Sequence, residues 1–163
     1  MTAGRDATKD TPAIRDVAAS GVSFRVVRTE RPGSAEESAV LQGIEVGRLI
    51  RTIVVRRGAG DYVFVLVPGG RQIAWARLRA HLGVSRLSLP DLDEARDATG
   101  YERGTITPLA SSTGWPVVAD ATLADRDVVA IGAGAHGVNL HLDPADLFRL
   151  VHADLADVTN PSG

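Results

Sequence analysis

Two glycine-rich segments are the places where this sequence could hold a ligand without a reactive side chain. Gly132-Ala133-Gly134-Ala135-His136-Gly137 fits GxGxxG spacing. A dinucleotide fingerprint needs a helix directly afterwards, because the pyrophosphate rests on that helix's N-terminus. Here Val138-Asn139-Leu140-His141-Leu142 alternates apolar and polar, which is the period of a strand. The segment reads as strand, glycine loop, strand. Such a loop either exposes N–H groups to a phosphate or oxyanion or simply turns the chain. The second segment runs from Gly100 to Pro108. Gly100, Gly104 and Pro108 interrupt any helix there, leaving a ligand cradle or a connector.

Other chemistries are excluded or unsupported. There is no cysteine, hence no disulfide, thiolate zinc site or cysteine nucleophile. No GxSxG elbow is present, and Ser111-Ser112-Thr113-Gly114 reads as a turn. His136 and His141 are an odd number of residues apart and face opposite sides of a regular strand. His81 and His152 sit near helix ends, so no histidine pair has ligand spacing and no metal is expected. The only lysine is Lys9, so residues beyond it hold no lysine base or Schiff-base lysine.

These segments need a scaffold, and the sequence supplies its signals. Thr11-Pro12 caps a short helix over Ala13–Ser20 that ends at Gly21. Phe24–Arg28 reads as a strand. Ser34 and Glu37 form a capping box for a helix running to about Gln42. Leu49–Arg56 and Tyr62–Val67 are β-branched runs joined by Gly58-Ala59-Gly60-Asp61, a hairpin. A helix over Ala74–Leu82, a short strand at Arg86–Leu89 and a helix from Pro90-Asp91 to about Thr99 follow. Strands are expected at Trp115–Ala119, Val128–Ile131 and Val138–Leu142. A helix from Asp143-Pro144 through Val151 and a terminal strand at Ala156–Val158 complete the order. The elements do not alternate regularly and two hairpins are present. The expected fold is therefore α+β, one domain with a mixed, mainly antiparallel sheet and surrounding helices.

At 163 residues the chain is the size of one domain. Residues 1–11 read as a disordered leader, 12–158 as the domain and 159–163 as a tail. No apolar run is long enough for a membrane helix or signal peptide, so no membrane partner and a cytoplasmic address are expected. The net charge of −2 argues against nonspecific coating of nucleic acid. Its distribution is uneven. Ile44 to Val118 holds ten arginines against seven acids, whereas Ala119 onward holds seven aspartates and two arginines. A basic middle can steer one face toward a phosphate backbone, or can be plain solvated surface.

Five segments occur in a telling order. They are Arg51-Thr52-Ile53-Val54-Val55, Thr99-Gly100-Tyr101, Gly104-Thr105-Ile106-Thr107-Pro108, Asp120 and Gly132-Ala133-Gly134. This order resembles the YbaK / prolyl-tRNA-synthetase-associated domain family over about residues 20–158. Gly104–Pro108 corresponds to the family's GxxxP loop. The resemblance implies a trans-editing deacylase that hydrolyses mischarged aminoacyl-tRNA. Its substrate would be the aminoacylated acceptor end, with room for a synthetase as a further partner and no cofactor. It implies catalytic roles for Arg51, Gly104 and Asn139. It implies substrate binding by Thr105, Ile106, Thr107, Pro108, Asp120, Gly132, Ala133 and Gly134. Two positions depart from the family pattern: Arg51 stands for a lysine, and Asn139 for an aspartate found in some members. Arginine keeps the charge but cannot act as a base. These departures favour an alternative, a weakened paralogue that binds aminoacyl-tRNA or an aminoacyl nucleotide without hydrolysing it.

Overall fold

The computed structural model describes residues 10–162. Its strands are β1 (Phe24–Arg28), β2 (Ile50–Gly58), β3 (Asp61–Pro68), β4 (Arg71–Ile73), β5 (Val117–Asp120), β6 (Val129–Gly132), β7 (Val138–Leu142), β8 (Asp154–Ala156) and β9 (Thr159–Pro161). The helices are α1 (Pro12–Ser20), α2 (Ala35–Gln42), α3 (Trp75–Leu82), α4 (Leu92–Thr99) and α5 (Pro144–Val151). One sheet runs β1-β7-β6, a second β2-β3-β5-β8, and β4 pairs with β9. The β1–β7, β6–β7, β2–β3 and β4–β9 pairs are antiparallel, while β3–β5 and β5–β8 are parallel. A bridge between Leu49 and Ala130 joins the first two sheets beside the start of β2.

The period of β3 divides the interior. Tyr62, Phe64 and Leu66 point into one apolar cluster with Ile50, Val54, Leu140 and Leu147. Val63, Val65 and Val67 point into the other, with Val55, Leu78 and Val158. Burying both faces explains the unbroken apolar run from Tyr62 to Val67. Each such buried side chain contributes about 1.5–3 kcal/mol before its entropy cost.

The helix ends follow their side chains. The amide of Ile14 donates to Thr11 Oγ1 at 3.1 Å, and that of Glu37 to Ser34 Oγ at 3.0 Å. The Glu37 carboxylate accepts from the Gly33 amide rather than from Ser34, so the box closes one residue early. Asp91 and Asp143 cap α4 and α5.

Two expectations need correction. Arg86–Leu89 is not a strand: Ser88 alone bridges Arg56, and Pro90 cannot extend the ladder. The terminal strand at Ala156–Val158 is instead two strands. At their junction the Val158 amide donates to Asp120 and its carbonyl accepts from Ala74. That crossing carries the chain from β8 to β9, so Thr159–Pro161, read as tail, pairs with β4. The part of the leader at residues 1–9 lies outside the described residues, whereas Thr11 is buried as a cap.

Candidate functional site

A cleft of about 1050 Å³ opens between β2, the start of α2, the loop before Ile106 and the β6–β7 turn. β6 and β7 form a hairpin, so no helix follows Gly137 and a dinucleotide turn is not built. Arg51, Gly104, Ile106, Gly132 and Asn139, far apart in sequence, lie on the cleft wall.

The two glycine loops touch. A Cβ on Gly104, at φ +87°, would lie 3.1 Å from the His136 ring. A Cβ on Gly134, at φ +89°, would lie 2.7 Å from a Tyr101 ring carbon. Tyr101 is tied to its own loop, its hydroxyl donating to the Leu109 carbonyl at 2.6 Å. Burial pushes the Tyr101 phenol up, with Asp16 adding to the shift, so it stays a donor. This one ring sets the distance between the loops. The amides of Gly104, Ile106, Ala135 and His136 donate to no protein acceptor among the described residues. Unspent donors around a concave wall suit a phosphate, a carbonyl or an oxyanion.

The other expected residues stand behind this wall. Thr105 turns both its amide and its hydroxyl to the Glu102 carbonyl, at 3.0 and 2.7 Å. Thr107 is fully buried and accepts from the Leu109 amide. The half-buried Pro108 is off the wall, and its carbonyl accepts from the Ser111 amide at 3.5 Å. The Ala133 amide is spent on the Val138 carbonyl, and Gly134 is pressed against Tyr101. Asp120 is away from the cleft altogether. It is fully buried and accepts from the amides of Val158 and Thr122 and from the Thr122 hydroxyl. Its carboxylate organises the β5–β8–β9 junction, outside the cleft where substrate binding was expected of it.

Arg51 has two sides. It lies on the cleft wall, and its Nη2 donates to the Arg71 carbonyl on β4, while its Nε is buried without a partner. Asn139 pairs with Val27 and Gly132 through the backbone, and its half-buried side chain faces no protein partner among the described residues.

Two wall residues, Thr52 and Ser38, carry no signal of their own in the sequence. Thr52 Oγ1 is buried and unpartnered. It stood inside the resembling strand segment, but only its neighbour drew attention. Ser38 was hidden inside a helix recognised by its cap. Its Oγ accepts from Gln42 at 2.9 Å. Gln42 contacts His141 Nε2 at 2.8 Å, and His141 Nδ1 lies 3.4 Å from an Arg25 nitrogen. Burial, then the Arg25 charge, pushes the His141 pKa down. His136, within the glycine loop, also lies on the wall. Among the described residues no three histidine or carboxylate side chains are grouped to hold a metal. Arg31 and Arg103 at the rim make the mouth positive against Asp91.

A model of the aminoacyl-tRNA editing domain matches residues 29–150. The chain is 25% identical over 126 residues to a candidate Cys-tRNA(Pro)/Cys-tRNA(Cys) deacylase, EbsC, of Enterococcus faecalis, covering 77% of each. It is 35% identical over 133 residues to the proline–tRNA ligase of Xanthomonas axonopodis pv. citri, 78% of this chain but only 23% of the ligase. A crystal structure described as a candidate trans-editing enzyme for prolyl-tRNA synthetase superposes with a TM-score of 0.79 at 25% identity, covering 94% of this chain and 99% of that one.

Proposed function

The chain belongs to the aminoacyl-tRNA editing domain family, and from that premise we propose that it hydrolyses the ester of mischarged aminoacyl-tRNA as a trans-editing deacylase. The observation that carries this reading is the meeting of both glycine loops and β2 on one cleft with unspent amides. An aminoacyl ester is already activated. Water adds to its carbonyl carbon, the oxyanion rests on preorganised amides, and the carbon–oxygen bond to the ribose breaks. The ribose oxygen takes the proton that water gave up, leaving free amino acid and a tRNA hydroxyl. No side-chain nucleophile is needed. Each amide donor in such a hole contributes about 10²–10³ in rate.

Gly104 and Ile106 in one loop and Ala135 and His136 in the other supply the donors. Ser38, Thr52 and Asn139 position the ribose and the attacking water. Arg51 anchors the ribose or the terminal phosphate with the donors that Arg71 leaves free. Selection among amino acids comes from the fit of the pocket, because one methylene is worth only about 1–3 kcal/mol.

A deacylation assay on a panel of mischarged tRNAs tests this. Release of amino acid from at least one, with the correctly charged tRNA spared, is the expected result. Binding without release on every member supports the second reading, a non-hydrolysing aminoacyl-tRNA binder. Two features favour that reading: Arg51 is partly committed to Arg71, and Asn139 carries no charge.

A further inference from the structure

A second pocket, of about 470 Å³, lies at the far end of β2 and is lined by Arg56, Arg57, Arg79 and Arg86 with Ser85 and Ser88. Two of its guanidinium groups are balanced. Arg57 is forked onto Asp61 Oδ1 at 2.8 and 3.2 Å, and Arg56 Nε lies 3.1 Å from Glu94 Oε2. The Arg56–Glu94 contact lacks hydrogen-bond geometry, leaving that Nε without an acceptor. Arg79 and Arg86 have no carboxylate within reach among the described residues. Four cations line this concavity and carboxylates reach only two of them, so it is an anion site by charge, and guanidinium forks match phosphate oxygens.

Its position says which anion. β2 passes from the cleft at Ile50–Val54 to this pocket at Arg56–Gly58, and the segment 85–92 walks the same route, from Ser85–Ser88 in the pocket to Leu89–Leu92 in the cleft. Arg51 and Arg56 are about 17 Å apart along the strand, the reach of a few nucleotides. Between pocket and cleft stand Leu89 and Leu92, 60% and 57% exposed, both on the cleft wall. Exposed apolar side chains flanked by cations suit the bases and phosphates of a single strand better than an acidic protein surface, which would leave the leucines unmatched.

We propose that Arg56, Arg57, Arg79 and Arg86 form a phosphate subsite that holds the RNA backbone upstream of the 3′ end seated in the cleft. This rests on the deacylase reading only for the identity of the RNA. The pocket acts on binding and not on chemistry, because it lies outside the cleft.

The test pairs an R79A/R86A double variant with an R86E variant. Neither position lines the cleft. Measured quantities are equilibrium binding of total transfer RNA across salt concentrations, hydrolysis of a mischarged tRNA, and hydrolysis of the same amino acid esterified to adenosine alone. The expected result is tRNA binding weakened by about tenfold to a hundredfold. The log–log salt slope should fall by about 1–2, as two phosphate contacts are lost. KM for mischarged tRNA should rise with kcat unchanged, and the adenosine ester should be hydrolysed as by the parent. Unchanged tRNA affinity and salt slope overturn the proposal, including the case where only binding to a synthetase is lost. An equal loss on tRNA and on the adenosine ester overturns it too, since the effect would then lie in the cleft. If the parent hydrolyses neither ester, the deacylase reading fails, while weakened tRNA binding in the variants still upholds the subsite.

Discussion

The side-chain oxygen of Gln42 faces Nε2 of His141 at 2.8 Å, across 99 residues of sequence, and this contact sets the direction of every proton between Arg25 and the cleft. A guanidinium only donates, so His141 Nδ1 accepts from Arg25 and Nε2 carries the hydrogen. Nε2 donates to the Gln42 oxygen, which turns the Gln42 amide nitrogen toward Ser38. Ser38 Oγ accepts there, so its own hydrogen is left for the cleft.

The chain of donors requires a neutral His141, and burial with Arg25 lowers its pKa below the usual value of about 6.5. As pH falls, the unfolded chain takes up this proton before the folded one. The stability contributed by the neutral ring is therefore complete above about pH 6.5 and is lost as pH falls through the lowered folded value. Urea midpoints at about pH 7.5 and pH 5.5 should fall further in the parent than in His141→Asn. Parallel profiles would show that His141 does not titrate on unfolding.

Ser38→Ala removes the hydroxyl that this chain presents. The expected loss is about three- to thirtyfold in kcat/KM on a mischarged tRNA, the worth of one neutral hydrogen bond in a partly buried site. Gln42→Leu should lower activity similarly with Ser38 intact, because the hydroxyl is then free to turn away. A Gln42→Leu enzyme as active as the parent would separate Ser38 from the relay.

Gly134→Ala places a methyl 2.7 Å from the Tyr101 ring, at a φ of +89° that alanine avoids. Both effects push the two loops apart. We expect a destabilisation of about 1–3 kcal/mol and a loss of deacylation larger than the loss of fold explains. Thermal unfolding alongside single-turnover hydrolysis reads the two separately.

Much of this frame was legible because local signals agreed with one another. Ser34 and Asp91, at their caps, and Gly21 and Gly43, at their helix ends, stand where the sequence puts them. The β2–β3 hairpin runs as its β-branched residues predict, ending in a tight turn at Ala59-Gly60. What stayed hidden depended on contacts between distant segments. Nothing local marks β9, whose three residues pair with β4 where Asp120 and Ala74 hold Val158 and Arg71 and Arg77 reach Thr159. Ser38 and Thr52 read as ordinary helix and strand residues, since a cleft is made by the elements facing them. The residues that the family-like order of motifs singles out include Arg51, Gly104 and Asn139, which lie on the cleft wall, and Asp120, which lies buried away from it in hydrogen bonds of its own.

Asp120→Asn tests that placement. The amide can still accept at its oxygen, but its nitrogen must face an amide and a hydroxyl of Thr122 or the Val158 amide. We expect a cost of about 1–3 kcal/mol in urea unfolding, because either the Thr122 or the Val158 amide is left without an acceptor. KM for mischarged tRNA, measured where the variant is folded, should match the parent. A raised KM with unchanged stability would return Asp120 to the substrate.

Arg51 gives the sharpest test because it serves two partners. One Nη2 hydrogen goes to the Arg71 carbonyl, and Arg71 in turn reaches Thr159 Oγ1 at 2.7 Å, so Arg51 braces β2 against β4 and β9. Its Nε is buried without an acceptor, so the Nη hydrogens that Arg71 leaves free are the ones a substrate oxygen could meet. Arg51→Lys keeps the cation but has no fork, so it can satisfy the strut or the substrate but not both at once. It should retain measurable deacylation at reduced rate. Arg51→Ala should lose about ten- to a hundredfold in kcat/KM, the worth of one charge-assisted hydrogen bond. It should also unfold at lower urea, since Arg71 loses its partner. The strut and the anchor separate in one comparison: hydrolysis and tRNA binding measured on folded Arg51→Ala, beside its urea midpoint. A lower midpoint with parental hydrolysis and binding makes Arg51 a strut alone and removes it from the proposed site.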